Sequence, residues 1–269
     1  MHTLRIVFEI ARQTALLQLQ NRLFRLLWLA LLGVAALVFF IGLNAPTHLQ
    51  GRHLFAVATW WILMNVTMPW TTMYFGVQAV HGDVEDRTFQ YLFIRPVPRF
   101  AVLLGKCMAV AGLAALSHAF GMAMVFLAAA LHPDRWADGI EWELLVVFAQ
   151  ASLLLAVAYS AVACLFGAFF KRPLVWCAGF ILFCQMFLAN LPSQAGIRLA
   201  TIADPVRRFV LDRLDPDPRL ARALWPSERN WNDALIGNPL LNLSILVAVA
   251  LVLALVSYSR SEYDSRERE

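Results

Sequence analysis

Six apolar stretches, each long enough to cross a lipid bilayer as a helix, set the limits on what this chain can fold into. A hydrocarbon core of about 30 Å takes about 20 residues of helix. Residues 24–43, 54–80, 107–131, 144–170, 173–191 and 239–258 each supply such a run. Inside lipid every backbone polar group must be paired within the protein, and continuous apolar runs of this length meet that condition as helices. Composition agrees, since 60% of the 269 residues are apolar and 15% are charged, too oily for an ordinary soluble domain. The spacing predicts an all-α polytopic membrane protein with six transmembrane helices. Pro69 lies inside the second run and is expected to kink it. Lys171 and Arg172 alone separate the fourth run from the fifth, which predicts a tight helical hairpin.

Residues 1–22 precede the first span. At helical spacing Arg5, Glu9, Arg12, Gln13 and Gln20 share one face, while Ile6, Val7, Phe8, Ile10, Ala11 and Leu17 spread over the other. That is the pattern of an amphipathic helix lying in the membrane interface. It is not read as a signal peptide, because charges interrupt any apolar core and no small-residue cleavage site follows. Cations gather at alternate span ends: Arg5, Arg12, Arg22 and Arg25; then Arg87, Arg95, Arg99 and Lys106; then Lys171 and Arg172; then Arg260, Arg266 and Arg268. The two short loops opposite carry only Arg52 and Arg135, whereas the third, 192–238, is richer in arginine. Short loops and span ends decide orientation most strongly, so both termini and the 81–106 loop are predicted to be cytoplasmic. The net charge of +4 is thereby read as positive inner loops, with no nucleic-acid partner.

Loop 81–106 is polar where its surroundings are apolar. Asp83, Asp86, Arg87 and Gln90 fall together at helical spacing, and Val84, Phe89, Tyr91, Leu92 and Phe93 fill most of the remaining arc, so its first half reads as a short amphipathic helix. Pro96 removes a backbone donor and Pro98 pushes Val97 out of the helical region, which predicts a rigid extended turn over 95–99 before the third span. The stretch resembles the cytoplasmic loop after the second span of the ABC type-2 transporter permeases. That loop has the loose pattern acidic-x-acidic-x-Gly-Thr, an apolar pair, Pro-Val-x-Arg, and Gly-Lys opening the third span. Asp83 and Glu85 hold the acidic positions, Thr88 the threonine, Pro96, Val97 and Arg99 the turn, and Gly105 and Lys106 its end; Arg87 stands where the family has glycine.

The resemblance implies the membrane-spanning permease subunit of an ATP-driven ABC exporter in the bacterial inner membrane. It implies pairing with an identical or similar permease, as homodimer or heterodimer, and two copies of a separate ATPase subunit per complex. Asp83, Val84, Glu85, Arg87, Thr88, Phe89, Leu92, Arg95, Pro96 and Arg99 are then the ATPase-coupling residues, flanked by the N-terminal helix. Glu85 and Arg99 would hold the ATPase by charged hydrogen bonds, and Val84, Phe89 and Leu92 would enter a groove on its surface. The resemblance also favours the second and fifth spans for a translocation path, which selects Asn65, Thr71, Thr72, Gln78 and Gln185. Hydrogen bonding between helices is the competing reading of those residues.

In the external loop 192–238, Asp204 and Pro205 read as an N-cap and first helical residue, with Val206, Phe209, Val210 and Leu214 as an apolar stripe; Asp217 and Pro218 repeat the signal. Two short external helices are expected as a solvated cap, with a substrate or periplasmic-partner surface as the sharper alternative. No Asp, Glu, Lys or Arg lies deep within the six runs, which disfavours an ion-coupled channel or carrier. A membrane-embedded enzyme is the other competing class. Cys107, Cys164, Cys177 and Cys184 form no CxxC pair, so neither a metal site nor a disulfide framework is expected. Cys107 follows Gly105 and Lys106 where a phosphate-binding loop needs Ser or Thr, and neither HExxH nor GxSxG occurs. His118 beside Ser117 lacks an orienting acid and reads as a buried hydrogen-bonded histidine. No cofactor or catalytic residue is expected, and ATP hydrolysis is assigned to a partner chain.

Overall fold

The computed structural model describes residues 2–44, 51–85, 98–131, 142–188, 201–214, 224 and 238–260, and every regular element among them is helical. In chain order these are α1 (His2–Gln20), α2 (Arg22–Asn44), α3 (Gly51–Val57), π1 (Ala58–Thr67), α4 (Met68–Glu85), α5 (Arg99–Ala130), α6 (Trp142–Phe169), α7 (Pro173–Phe180), π2 (Ile181–Phe187), α8 (Ala203–Leu214) and α9 (Pro239–Arg260). Helices α2, α5, α6 and α9 are each long and apolar enough to cross a membrane. The second and fifth apolar runs are also helical, but π-helical turns interrupt them.

Proline and polar residues account for the first interruption. Helical dihedrals at Val57 and Met68 carry the chain from α3 through π1 into α4 without a break, and the Met68 N–H reaches back five residues to the Leu63 carbonyl. Pro69 follows immediately. In α register its ring would press on the carbonyl four residues back, where it also has no proton to donate. The disturbance expected at Pro69 is thus taken up as widened turns ahead of it. Side chains then serve the local carbonyls: Asn65 Nδ2 donates to Trp60 O at 3.1 Å, Thr67 Oγ1 to Leu63 O at 2.8 Å, and Thr71 Oγ1 to Thr67 O at 2.7 Å and Met68 O at 3.2 Å. Such side-chain bonding is how irregular helix is tolerated at membrane depth.

Helices α5 and α6 form the centre, packed on each other, with α1 and α2 against α5 and with α4 and α9 against α6. Their interior holds Leu31, Phe55, Met73, Met122, Phe148 and Tyr159, all fully buried. The outward surface is apolar, as lipid requires: Leu29, Leu37 and Phe40 on α2, Val175 and Phe183 on α7 and π2, and Val249, Val252 and Leu253 on α9 are exposed. Small residues set the closest crossings, since a Cβ at Gly76 would stand 2.5 Å from Ala163 Cβ and one at Gly167 would stand 3.1 Å from Val80 Cβ. Close backbone approach at small residues is the main packing device between helices in a membrane.

Several expected boundaries move. Helix α5 begins at Arg99, ahead of the expected span start at 107, and α4 runs on to Glu85, so both ends of the 81–106 loop are helical. Lys106 is accordingly inside a helix and buried. Helix α1 does more than lie in an interface, because Val7 and Gln18 are buried against the bundle while Leu4, Phe8 and Leu17 stay exposed. The α6–α7 hairpin is as tight as expected. The Phe170 N–H bonds to Phe166 O, the Val175 N–H to Arg172 O, and the Phe170 ring stacks on Trp176 at 4.6 Å.

The 192–238 loop departs furthest from expectation. Helix α8 is not a solvated cap: Ala203, Val206, Arg207, Phe209, Val210 and Leu214 are buried, and the helix packs on α6 and α9. The second expected helix lies outside the described residues except for Leu224, which is helical and fully buried.

Candidate functional site

Polar side chains gather at the two ends of the bundle. At one end, Pro98 is extended, with φ −67° and ψ 129°, as expected of the turn over 95–99, whereas Arg99 is already helical and residues 95–97 lie outside the described residues. Lys106, about two turns into α5, sends its Nζ to the Ala79 carbonyl in the second half of α4. The amine thereby meets a carbonyl oxygen inside the bundle, which is how a buried lysine is accommodated there. Gly105 has a separate task. A Cβ there would stand 2.8 Å from the Val7 carbonyl and 3.0 Å from Ile10, so glycine is what lets α1 rest on α5. Helix α1 is also held to α4, with Gln18 Nε2 donating to Phe75 O at 3.1 Å and Asn21 Nδ2 to Gln78 Oε1 at 3.3 Å. Val80, Leu103, Cys107, Cys164, Ala254 and Tyr258 pack together at this end, and Ser257 Oγ donates to Ala168 O at 3.1 Å. Three helices are therefore cross-linked where α4 and α5 project toward the 86–97 connection.

Of the residues expected to couple to an ATPase, Asp83, Val84 and Glu85 lie in the last turn of α4, and Arg99 opens α5 half-buried. Arg87, Thr88, Phe89, Leu92, Arg95 and Pro96 lie outside the described residues.

At the opposite end, α8 joins the two π-helical segments. Gln185, on π2, is buried, and its Oε1 accepts hydrogen bonds from Tyr159 Oη and from the Ala203 N–H, each at 3.2 Å. Thr201 Oγ1 accepts from the Asp204 N–H at 3.4 Å. Thr201 rather than Asp204 thus caps α8, and Asp204 instead pairs with Arg208 at 3.0 Å. On the other flank the guanidinium of Arg207 faces π1, 5.2 Å from the Trp60 ring centroid and 6.0 Å from that of Trp61. Sequence reading did not single out Arg207; the signal available was a cation beside the Val206 and Val210 stripe, with two tryptophans elsewhere in an apolar run.

Between the ends, His118 is fully buried, with Nδ1 2.9 Å from the Ala114 carbonyl and Nε2 3.2 Å from Thr67 Oγ1. The Nδ1 contact lies within α5, and the Nε2 contact ties α5 to π1.

The five residues expected along a path do not converge on one surface. Asn65 turns to its own backbone, Gln185 serves α8, and Gln78 is exposed beside Asn21. Thr71 and Thr72 face a recess between α1, α2, α4 and α5. Among the described residues no three His, Cys, Asp or Glu side chains are placed to hold a metal ion.

Comparison with known protein families matches residues 7–263 to the family described as ABC-2 family transporter protein. No curated protein matches the chain.

Proposed function

From the premise that this chain belongs to the ABC-2 family of transporter proteins, we propose that it is the permease subunit of an ATP-driven exporter in a bacterial cytoplasmic membrane. It dimerises with an identical or similar permease, and two ATPase subunits bind the cytoplasmic face of the pair. Six crossings are made by α2, α3–π1–α4, α5, α6, α7–π2 and α9, with both termini and the 86–97 connection inside and α8 outside. The placement of cations at the inner helix ends supports this orientation.

One observation carries the mechanism: the cross-linking of α1, α4 and α5 through Gly105, Lys106, Gln18 and Asn21. A displacement of the loop between α4 and α5 is passed to all three helices together, because none can move without breaking a buried hydrogen bond or a close contact. Asp83, Val84, Glu85, Arg87, Thr88, Phe89, Leu92, Arg95, Pro96 and Arg99 receive the ATPase. The π-helical segments of the second and fifth spans, a helix form common at functional sites, are where those spans change shape along the export route. A periplasmic partner would meet other parts of 192–238, because the apolar face of α8 is used within the chain.

The test is a pull-down. Phe89→Ala with Leu92→Ala should release the ATPase from detergent-extracted complex while leaving membrane insertion intact. Wild-type ATPase retention and wild-type transport in that double variant would show the loop to be an ordinary connector.

A further inference from the structure

Gln18 reaches from α1 across to α4, and its orientation is set by chemistry. The Phe75 carbonyl can only accept, so the nitrogen of the Gln18 amide faces it and the oxygen points away. That oxygen, Oε1, is buried and has no hydrogen-bond partner among the described residues. Thr72 Oγ1, one turn from Phe75 on α4, is in the same condition; Thr72 is fully buried, and its hydroxyl forms no bond to a helix carbonyl, unlike those of Thr67 and Thr71. Both residues line one recess, with Leu27, Thr71, Phe75 and Ala114 among its walls. A buried acceptor and a buried donor without partners each cost stability, and here they border the same space.

The recess has a volume of about 10 Å³, about the room a single water requires. Thr71 also lines it; the Thr71 proton is directed to the Thr67 and Met68 carbonyls, leaving lone pairs on Oγ1. A water there accepts from the Thr72 hydroxyl, donates one hydrogen to Gln18 Oε1 and presents the other to Thr71 Oγ1. Buried waters typically make about three such bonds.

We propose that one ordered water molecule occupies the recess bounded by Gln18, Thr71 and Thr72 and bridges the cytoplasmic helix α1 to the second span. The joint between α1 and α4 is then part direct, through the Phe75 carbonyl, and part hydrated. A hydrated contact can part and re-form without leaving a dry polar group behind, which suits a joint that must move.

The test is a double-mutant cycle on the full chain in detergent or nanodiscs, together with a density map that resolves ordered solvent. Thr72→Val keeps the side-chain shape and removes the hydroxyl; Gln18→Met keeps length and removes the amide. With the water present, each single variant lowers the unfolding midpoint by about 2–4 °C, and the double variant falls by less than the sum of the two. The map shows a solvent peak within hydrogen-bond distance of Gln18 Oε1 and Thr72 Oγ1. A Thr72→Val protein more stable than wild type, strictly additive losses, or a map in which the two side chains bond directly would each overturn the proposal.

Discussion

The guanidinium carbon of Arg207 stands 5.2 Å from the Trp60 ring centroid, and the two residues are 2% and 1% exposed. A desolvated cation over an indole face contributes about 2 kcal/mol, so this pair fastens α8 to π1. Arg207→Ala is expected to destabilise the protein by about that amount in thermal unfolding. The same change made on top of Trp60→Leu should cost less. Arg207→Lys should not restore stability, because a compact ammonium does not stack as a planar guanidinium does.

Gln185 supports α8 from the opposite flank. Gln185→Met leaves the Tyr159 hydroxyl and the Ala203 N–H without their acceptor, and each such orphan costs about 1–3 kcal/mol. Hydrogen exchange at the first turn of α8 should accelerate more than exchange in α5. Equal acceleration throughout would mean that Gln185 acts on global stability rather than as a local cap.

Crossing of α4 with α6 depends on one missing methyl. A Cβ at Gly76 would be 2.5 Å from Ala163 Cβ, so Gly76→Ala should destabilise by about 1–3 kcal/mol through overpacking. Adding Ala163→Gly removes the opposing methyl and should recover most of that loss. No recovery would show that the helices shift apart on substitution instead of clashing at this point.

Orientation is open to labelling. In a background with the four cysteines replaced, Lys171→Cys at the α6–α7 turn and Asn44→Cys at the end of α2 both give exposed thiols. The proposed topology has a membrane-impermeant maleimide reach position 44 in intact cells and position 171 only after permeabilisation. The reverse pattern would invert the protein and remove the loop between α4 and α5 from the reach of any cytoplasmic ATPase.

The four long apolar helices were legible because their physics is local: an unbroken apolar run reports its own length, and Lys171 with Arg172 reports a hairpin. Lys106 misled for an equally local reason. A charge at the edge of an apolar run reads as a boundary, but the Ala79 carbonyl that receives its amine lies 27 residues earlier and is invisible to periodicity. The burial of α8 was hidden in the same way, since its arginines and aspartates look solvated until Trp60 is brought to Arg207 and Gln185 to the Ala203 N–H. Pro69 announced a disturbance in the second span, while the choice of π turns over a sharp kink rests on Asn65, Thr67 and Thr71 being positioned to serve the local carbonyls. Gly105 and Lys106 were readable as a motif, and only packing shows that one seats α1 and the other fastens α4.

The short turn at Phe170 to Arg172 also bears on how the molecule is made. With Phe170 stacked on Trp176 and the link bonded at both edges, there is no slack for α7 to enter the bilayer after α6 has settled. In the proposed topology Lys171 and Arg172 stay on the cytoplasmic side, held there by the cost of moving charge through lipid, and α6 and α7 are then expected to enter the bilayer as a pair rather than one after the other.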